Sequence, residues 1–172
     1  MARAVISTIG RDRPGIVNEL TEAISALGLN IEDSRMAVLG GEFAVLMSIS
    51  GTAEALATLD QRLATRARDT DFAYLFRPTD NREPTPNLPL RVDVAAMDHP
   101  GIVHGIANFF SSRGINIRDL ETEAEHAAHT GTPIFNLTMT IEIPAGTRIG
   151  QLRADFEAYC DDHGLDGSMQ SG

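Results

Sequence analysis

The chain has no lysine, a single cysteine and no long apolar run. Each shortage removes a class of explanation. All fourteen basic residues are arginine, a compositional trait that carries no function by itself. Set against 24 aspartates and glutamates, they leave a formal net charge of −10. Direct binding to nucleic acid or to an anionic membrane needs a basic surface, so this balance argues against both. The one cysteine, Cys160, excludes an intrachain disulfide and fits a reducing compartment. No apolar stretch is long enough to cross a bilayer, and no signal peptide precedes the first expected strand. The cytoplasm is therefore the expected location. The Gly-rich phosphate loop, the nucleophile elbow and the zinc signature are all absent.

What is present is a duplication. Asp98-His99-Pro100-Gly101-Ile102-Val103 leads through an apolar segment to Gly114-Ile115-Asn116-Ile117-Arg118-Asp119. The earlier copy starts at Asp12-Arg13-Pro14-Gly15-Ile16-Val17 and ends at Gly28-Leu29-Asn30-Ile31-Glu32-Asp33. The two align without a gap, and ten of the 22 positions are identical. The period is too long for a solenoid unit, so the match indicates two domains. Each half is small enough to be marginal alone, and so is expected to pack on the other half or on another chain.

Each copy reads as strand, tight loop, helix, strand. Pro14 and Pro100 suit the first turn of a helix, where a missing N–H costs nothing. Asp12 and Asp98 precede that start, where a carboxylate can cap free amides. Gly15 and Gly101 let the loop backbone approach a ligand. Gly28 and Gly114 stand where a left-handed helix cap belongs. The first helix is expected over about 14–27 and its counterpart over about 100–113, from apolar residues at helical spacing. Around them run alternating strands: 3–9, 30–39 and 43–49, then 72–76 after a helix bearing Leu56, Leu59 and Leu63. The second half repeats the order, ending in a poor strand at 165–170 that Gly167 and Ser168 weaken. The expected fold is α+β: two ferredoxin-like βαββαβ subdomains with antiparallel sheets and helices on one face. Residues 1–78 form the first and 89–172 the second. The linker is 79–88, with Pro84 and Pro86 among polar residues.

The pattern Asp-x-Pro-Gly-Ile-Val followed by Gly-Leu-Asn-Ile or Gly-Ile-Asn-Ile resembles the ACT domain, a small amino-acid-binding regulatory module. Two such units without an enzyme domain resemble the glycine cleavage system transcriptional repressor family. The resemblance implies an amino-acid site formed by Asp12, Arg13, Gly15 and Asn30, and by Asp98, His99, Gly101 and Asn116. Asp12 goes with Asn30 and Asp98 with Asn116, although in ACT proteins such sites lie at domain interfaces, so either half can supply groups to one pocket. Physically, a free amino acid needs amide donors for its carboxylate, which a helix N-terminus offers. It needs oxygen acceptors for its ammonium, which Asp and Asn offer. The bland alternatives stand beside this: Asp as a plain helix cap, Asn as a tolerated turn residue, His99 as a solvated loop residue.

The second copy has the better-formed pattern, because the segment after Asn116 is long, acidic and able to fold over a ligand. It holds Glu121, Glu123, Glu125, His126 and His129. Their spacing matches no metal motif, and neither metal nor cofactor is expected. Cys160 shares a helical stripe with Phe156 and reads as a buried structural thiol. The resemblance implies a non-catalytic sensor of a small amino acid, glycine by family analogy. Its partner would be a regulatory protein such as a DNA-binding transcription factor, with a homodimer as a further possibility. An enzyme and a ligand-free adaptor are the competing readings.

Overall fold

The computed structural model describes residues 1–80, 87–126 and 133–171. Pro84 and Pro86 of the expected linker, the side chain of His126, and all of His129 lie outside the described residues. The chain divides into two compact units, Met1–Glu83 and Pro84–Gly172.

In the first unit the order is β1 (Ala2–Arg11), α1 (Ile16–Ser25), β2 (Asn30–Leu39), β3 (Glu42–Gly51), α2 (Ala53–Asp69) and β4 (Phe72–Thr79). The second repeats it: β5 (Leu88–Met97), α3 (Ile102–Ser111), β6 (Asn116–His126), β7 (Pro133–Ile143), α4 (Ile149–His163) and β8 (Asp166–Ser171). Each sheet is antiparallel, in the order β2-β3-β1-β4 or β6-β7-β5-β8. These are two ferredoxin-like βαββαβ folds.

Strand alternation places one set of side chains against the helices. In the first unit Ala4 and Ile6 of β1 and Phe43, Val45, Met47 and Ile49 of β3 meet Leu20, Ile24, Leu59 and Leu63 of the helices. The second core is built alike but is richer in aromatics. Phe109, Phe110 and Phe156 pack edge to face or tilted, with ring centroids 5.1–5.3 Å apart. The helix exits follow from glycine. Gly28 (φ 66°) and Gly114 (φ 69°) are left-handed, and the next amides, Leu29 and Ile115, bond back to Ile24 and Phe110, closing the helix and turning the chain into β2 or β6.

Gly167 corrects the expectation of a weak last strand. A Cβ there would lie 2.4 Å from Cys160 Sγ and 3.1 Å from a Phe156 ring carbon. The missing side chain is what lets β8 lie over α4. The long acidic segment, expected to be able to fold over a ligand, is strand up to residue 126. It is β6, paired with β7 from Asn116↔Glu142 to His126↔Pro133.

One buried group is out of place. Thr8 of β1 is 1% exposed, and its hydroxyl has no hydrogen-bond partner among the described residues. The matching position in the second unit is Val94. Thr8→Val removes an unsatisfied hydroxyl at nearly constant shape. It should raise stability by about 1 kcal/mol, read as a higher urea midpoint at unchanged slope.

Candidate functional site

Both Pro-Gly loops connect a central strand to the first helix of their unit. Each helix starts one residue after its glycine, at Ile16 and Ile102, so Pro14 and Pro100 lie in the turn before it. Gly15 (φ 88°) and Gly101 (φ 101°) occupy the cap position in the left-handed region, and a Cβ on either would meet nothing within 4 Å. Conformation, not crowding, demands glycine at these two positions.

Neither Asp12 nor Asp98 caps its helix. Among the described residues no side chain accepts from the first-turn amides of α1 or α3. The contrast is α2, where Thr52 Oγ1 accepts from the Ala55 amide at 3.1 Å. The physical reason is distance along the chain: the glycine takes the cap position three residues after the aspartate. Asp12 and Asp98 instead hold the loop through their backbone, donating to Gly41 O at 3.1 Å and Pro133 O at 3.2 Å. Both residues are exposed. Each loop thus presents first-turn amides without a side-chain cap and, close by in sequence, an exposed carboxylate.

The two loops are braced differently. In the first, Arg13 makes a two-pronged pair with Glu19 at 2.6 and 2.7 Å, and Arg66 of α2 joins the same carboxylate. The hydrogen bonds from Arg13 and then Arg66 hold the Glu19 carboxyl down at about 2, against an ordinary value of 4.5. Arg66 also lies over the Phe72 ring. Beside the loop is a cavity of about 170 Å³ lined by Arg11, Arg13, Ile16, Arg66, Asp71 and Phe72. In the second unit Gly105 stands where Glu19 stands and Tyr159 where Arg66 stands. A Cβ on Gly105 would lie 2.4 Å from the Tyr159 hydroxyl, so close packing replaces the ion pair. His99, the partner of Arg13 in the repeat, is exposed, with Nδ1 3.2 Å from Pro100 O. Glu19 and Arg66 escape a reading of sequence because Arg66 lies 47 residues from Glu19 and neither belongs to the duplicated motif.

The brace predicts an acid signature. Glu19 has a lowered folded-state pKa, so its contribution is present above about 4.5 and is lost as the pH falls toward 2. The Glu19 carboxyl should titrate by NMR well below its ordinary value of 4.5. Glu19→Gln should remove that low-pH step.

The asparagines are not where the repeat motif suggested. Asn30 pairs across β3 with Ser50, which pairs with Arg3 of β1. Arg11, next to Asp12, is eight residues further along β1. At roughly 3.3 Å per residue the two ends are about 26 Å apart. In the second unit Asn116 lies at the level of Pro89, and Asp98 follows Met97, giving the same separation. An α-helix that starts at the Asp end must finish at the opposite end of the sheet, and the Asn follows that finish. One free amino acid therefore cannot touch Asp12 and Asn30 of the same unit, nor Asp98 and Asn116. Each carboxamide is held by an acidic neighbour: Asn30 donates to Glu32 at 3.2 Å and Asn116 to Glu142 at 2.8 Å. Asn116 also borders a surface hollow of about 370 Å³ with His104, Asn108 and Ser111.

The ACT domain profile matches residues 2–76. The glycine cleavage system transcriptional repressor of Escherichia coli is 32% identical over 169 residues, covering 96% of this chain and 87% of that protein. This chain belongs to the same repressor family. Solved structures agree. A crystal structure assigned as a glycine cleavage system transcriptional repressor is 28% identical, with a TM-score of 0.72 over 98% of this chain and 96% of that one. A Galdieria sulphuraria protein of unknown function is 27% identical, with a TM-score of 0.83 over 99% and 98%.

Membership of the repressor family makes this an ACT regulatory protein. Burial, helped by Asp161, Asp166 and Glu157, pushes the Cys160 thiol up to about 11, which opposes nucleophilic use. Among the described residues no three His, Cys, Asp or Glu side chains group to hold a metal, and no helix is long and apolar enough to cross a membrane.

Proposed function

We propose that the protein is a non-catalytic amino-acid sensor. The observation that carries this is the duplicated loop, in which first-turn amides without a side-chain cap accompany an exposed aspartate. The amides suit a ligand carboxylate and the aspartate suits its ammonium. In the first unit the cavity beside the loop, lined by Arg11, Arg13, Arg66 and Asp71, adds guanidinium groups near the carboxylate end, two of them paired with Glu19. This favours the first loop over the second, the reverse of the expectation from the motif. Asp12, Arg13 and Gly15 form one candidate site and Asp98, His99 and Gly101 the other. Asn30 or Asn116 serves a loop-bound ligand only when it comes from a different ACT unit than that loop.

Glycine is the proposed ligand, because the related repressor acts on the glycine cleavage system. With a net charge of −10, regulation runs through a DNA-binding protein partner and not through direct contact with DNA. Occupancy is transmitted because the ligand binds one state of the protein better than another.

The test is a thermal shift series with single amino acids, followed by calorimetric titration. Glycine at about a hundred times its Kd should stabilise the chain by about 2.7 kcal/mol. A melting temperature unmoved by every amino acid at millimolar concentration would remove the sensor reading and leave an adaptor.

A further inference from the structure

Each sheet has a second face, turned away from its helices, and there the two units differ at matched positions. In the first unit one row across the strands is Arg35, Leu46, Ser7, Leu75. The matching row in the second is Glu121, Thr138, Asp93, Ser168. The next row is Ala37, Ala44, Ile9, Ala73 in the first and Glu123, Asn136, Ala95, Asp166 in the second. Ile9, Leu46 and Leu75 are 48%, 48% and 58% exposed. A single exposed leucine needs no explanation, but a contiguous apolar patch does. The second unit shows what this backbone carries when the face is wet: threonine, serine and a column of glutamates.

We propose that the open face of the first sheet is the contact between two copies of this chain, sheet against sheet about a two-fold axis. Three observations choose a second copy as the occupant. The first is shape. Leu46 and Leu75 flank Ser7, and Ile9 lies between Ala44 and Ala73, so large and small residues alternate in a way that a rotated copy can interdigitate. The second is charge. Two chains of −10 repel each other, yet this face carries Arg3, Arg11, Arg35 and Arg77 against Glu32, Asp33 and Glu42. With four cations and three anions, and with Arg35 already paired with Asp33 at 2.6 Å within the chain, this face is close to neutral, so two copies meet there without the repulsion that the whole chain carries. The second unit's face, with Asp119, Glu121, Glu123 and Glu125 in one strand, repels a copy of itself. The third is size. Four strands about 4.8 Å apart and eight to ten residues long present roughly 500–600 Å² per copy, or about 1,000–1,200 Å² in total, the size of a weak, reversible contact between copies.

The experiment is sedimentation velocity across a micromolar concentration series on the full chain. The wild type should show a reversible monomer–dimer equilibrium. The double variant Leu46→Thr/Leu75→Ser, which copies the second unit's residues at exposed positions, should weaken it at least tenfold with an unchanged far-UV spectrum. Leu75→Glu should do the same if the double variant folds poorly. Thr138→Glu, at the position matching Leu46, should leave association intact. The proposal is overturned by a wild type that stays monomeric, which would leave the face to another protein. It is equally overturned by a dimer indifferent to the leucine variants, or by one that Thr138→Glu breaks.

Discussion

Replacing Phe156 with alanine is expected to destabilise the second unit by about 3–5 kcal/mol. The ring is 0% exposed, packs on Phe109 at 5.3 Å and Phe110 at 5.2 Å, and supports the strand that carries Gly167. Deleting it leaves a hole bounded by two rings and a sheet, which cannot collapse without moving α4. Domain stabilities run to about 5–15 kcal/mol, so the loss removes a large share. Hydrogen exchange should report it by location: amides of residues 88–171 lose protection, while amides of 2–79 keep most of theirs. A change under about 1 kcal/mol would mean that Phe156 does not anchor this core.

The second large effect belongs to the loops. Asp12→Ala should weaken amino-acid binding by about 1.5–3 kcal/mol, or roughly 10- to 150-fold in Kd, because it removes a charged acceptor for the ammonium. Asp98→Ala tests the other loop in the same way. Neither aspartate caps its helix, so ligand-free stability should move by less than about 0.5 kcal/mol in both variants. That separation makes the experiment decisive: loss of ligand-induced stabilisation at constant ligand-free melting temperature identifies a contact. Normal titration curves for both variants would remove the aspartates from the site. Asn116→Ala breaks the 2.8 Å bond to Glu142 at the far end of the sheet. An effect on affinity there would require an ACT unit other than that of the ligand-bearing loop.

Sequence alone determined the repeat, the order of elements and the two cores. Those rest on short-range signals: alternation in strands, helical spacing of Leu56, Leu59 and Leu63, and glycines that must be left-handed after α1 and α3. It also determined that Asp12, Gly15, Asp98 and Gly101 belong to paired loops, because the motif repeats without a gap. What it did not determine is distance. Adjacency in a motif placed Asp12 near Asn30, whereas the helix between them carries the chain the full length of the sheet. The Arg13–Glu19–Arg66 brace, the empty side-chain cap of α1 and the need for Gly167 beside Cys160 depend on residues that meet only after the helices pack. The open face of the first sheet is the same kind of fact. Its leucines look like ordinary strand residues until the register sets them in one row on an exposed face.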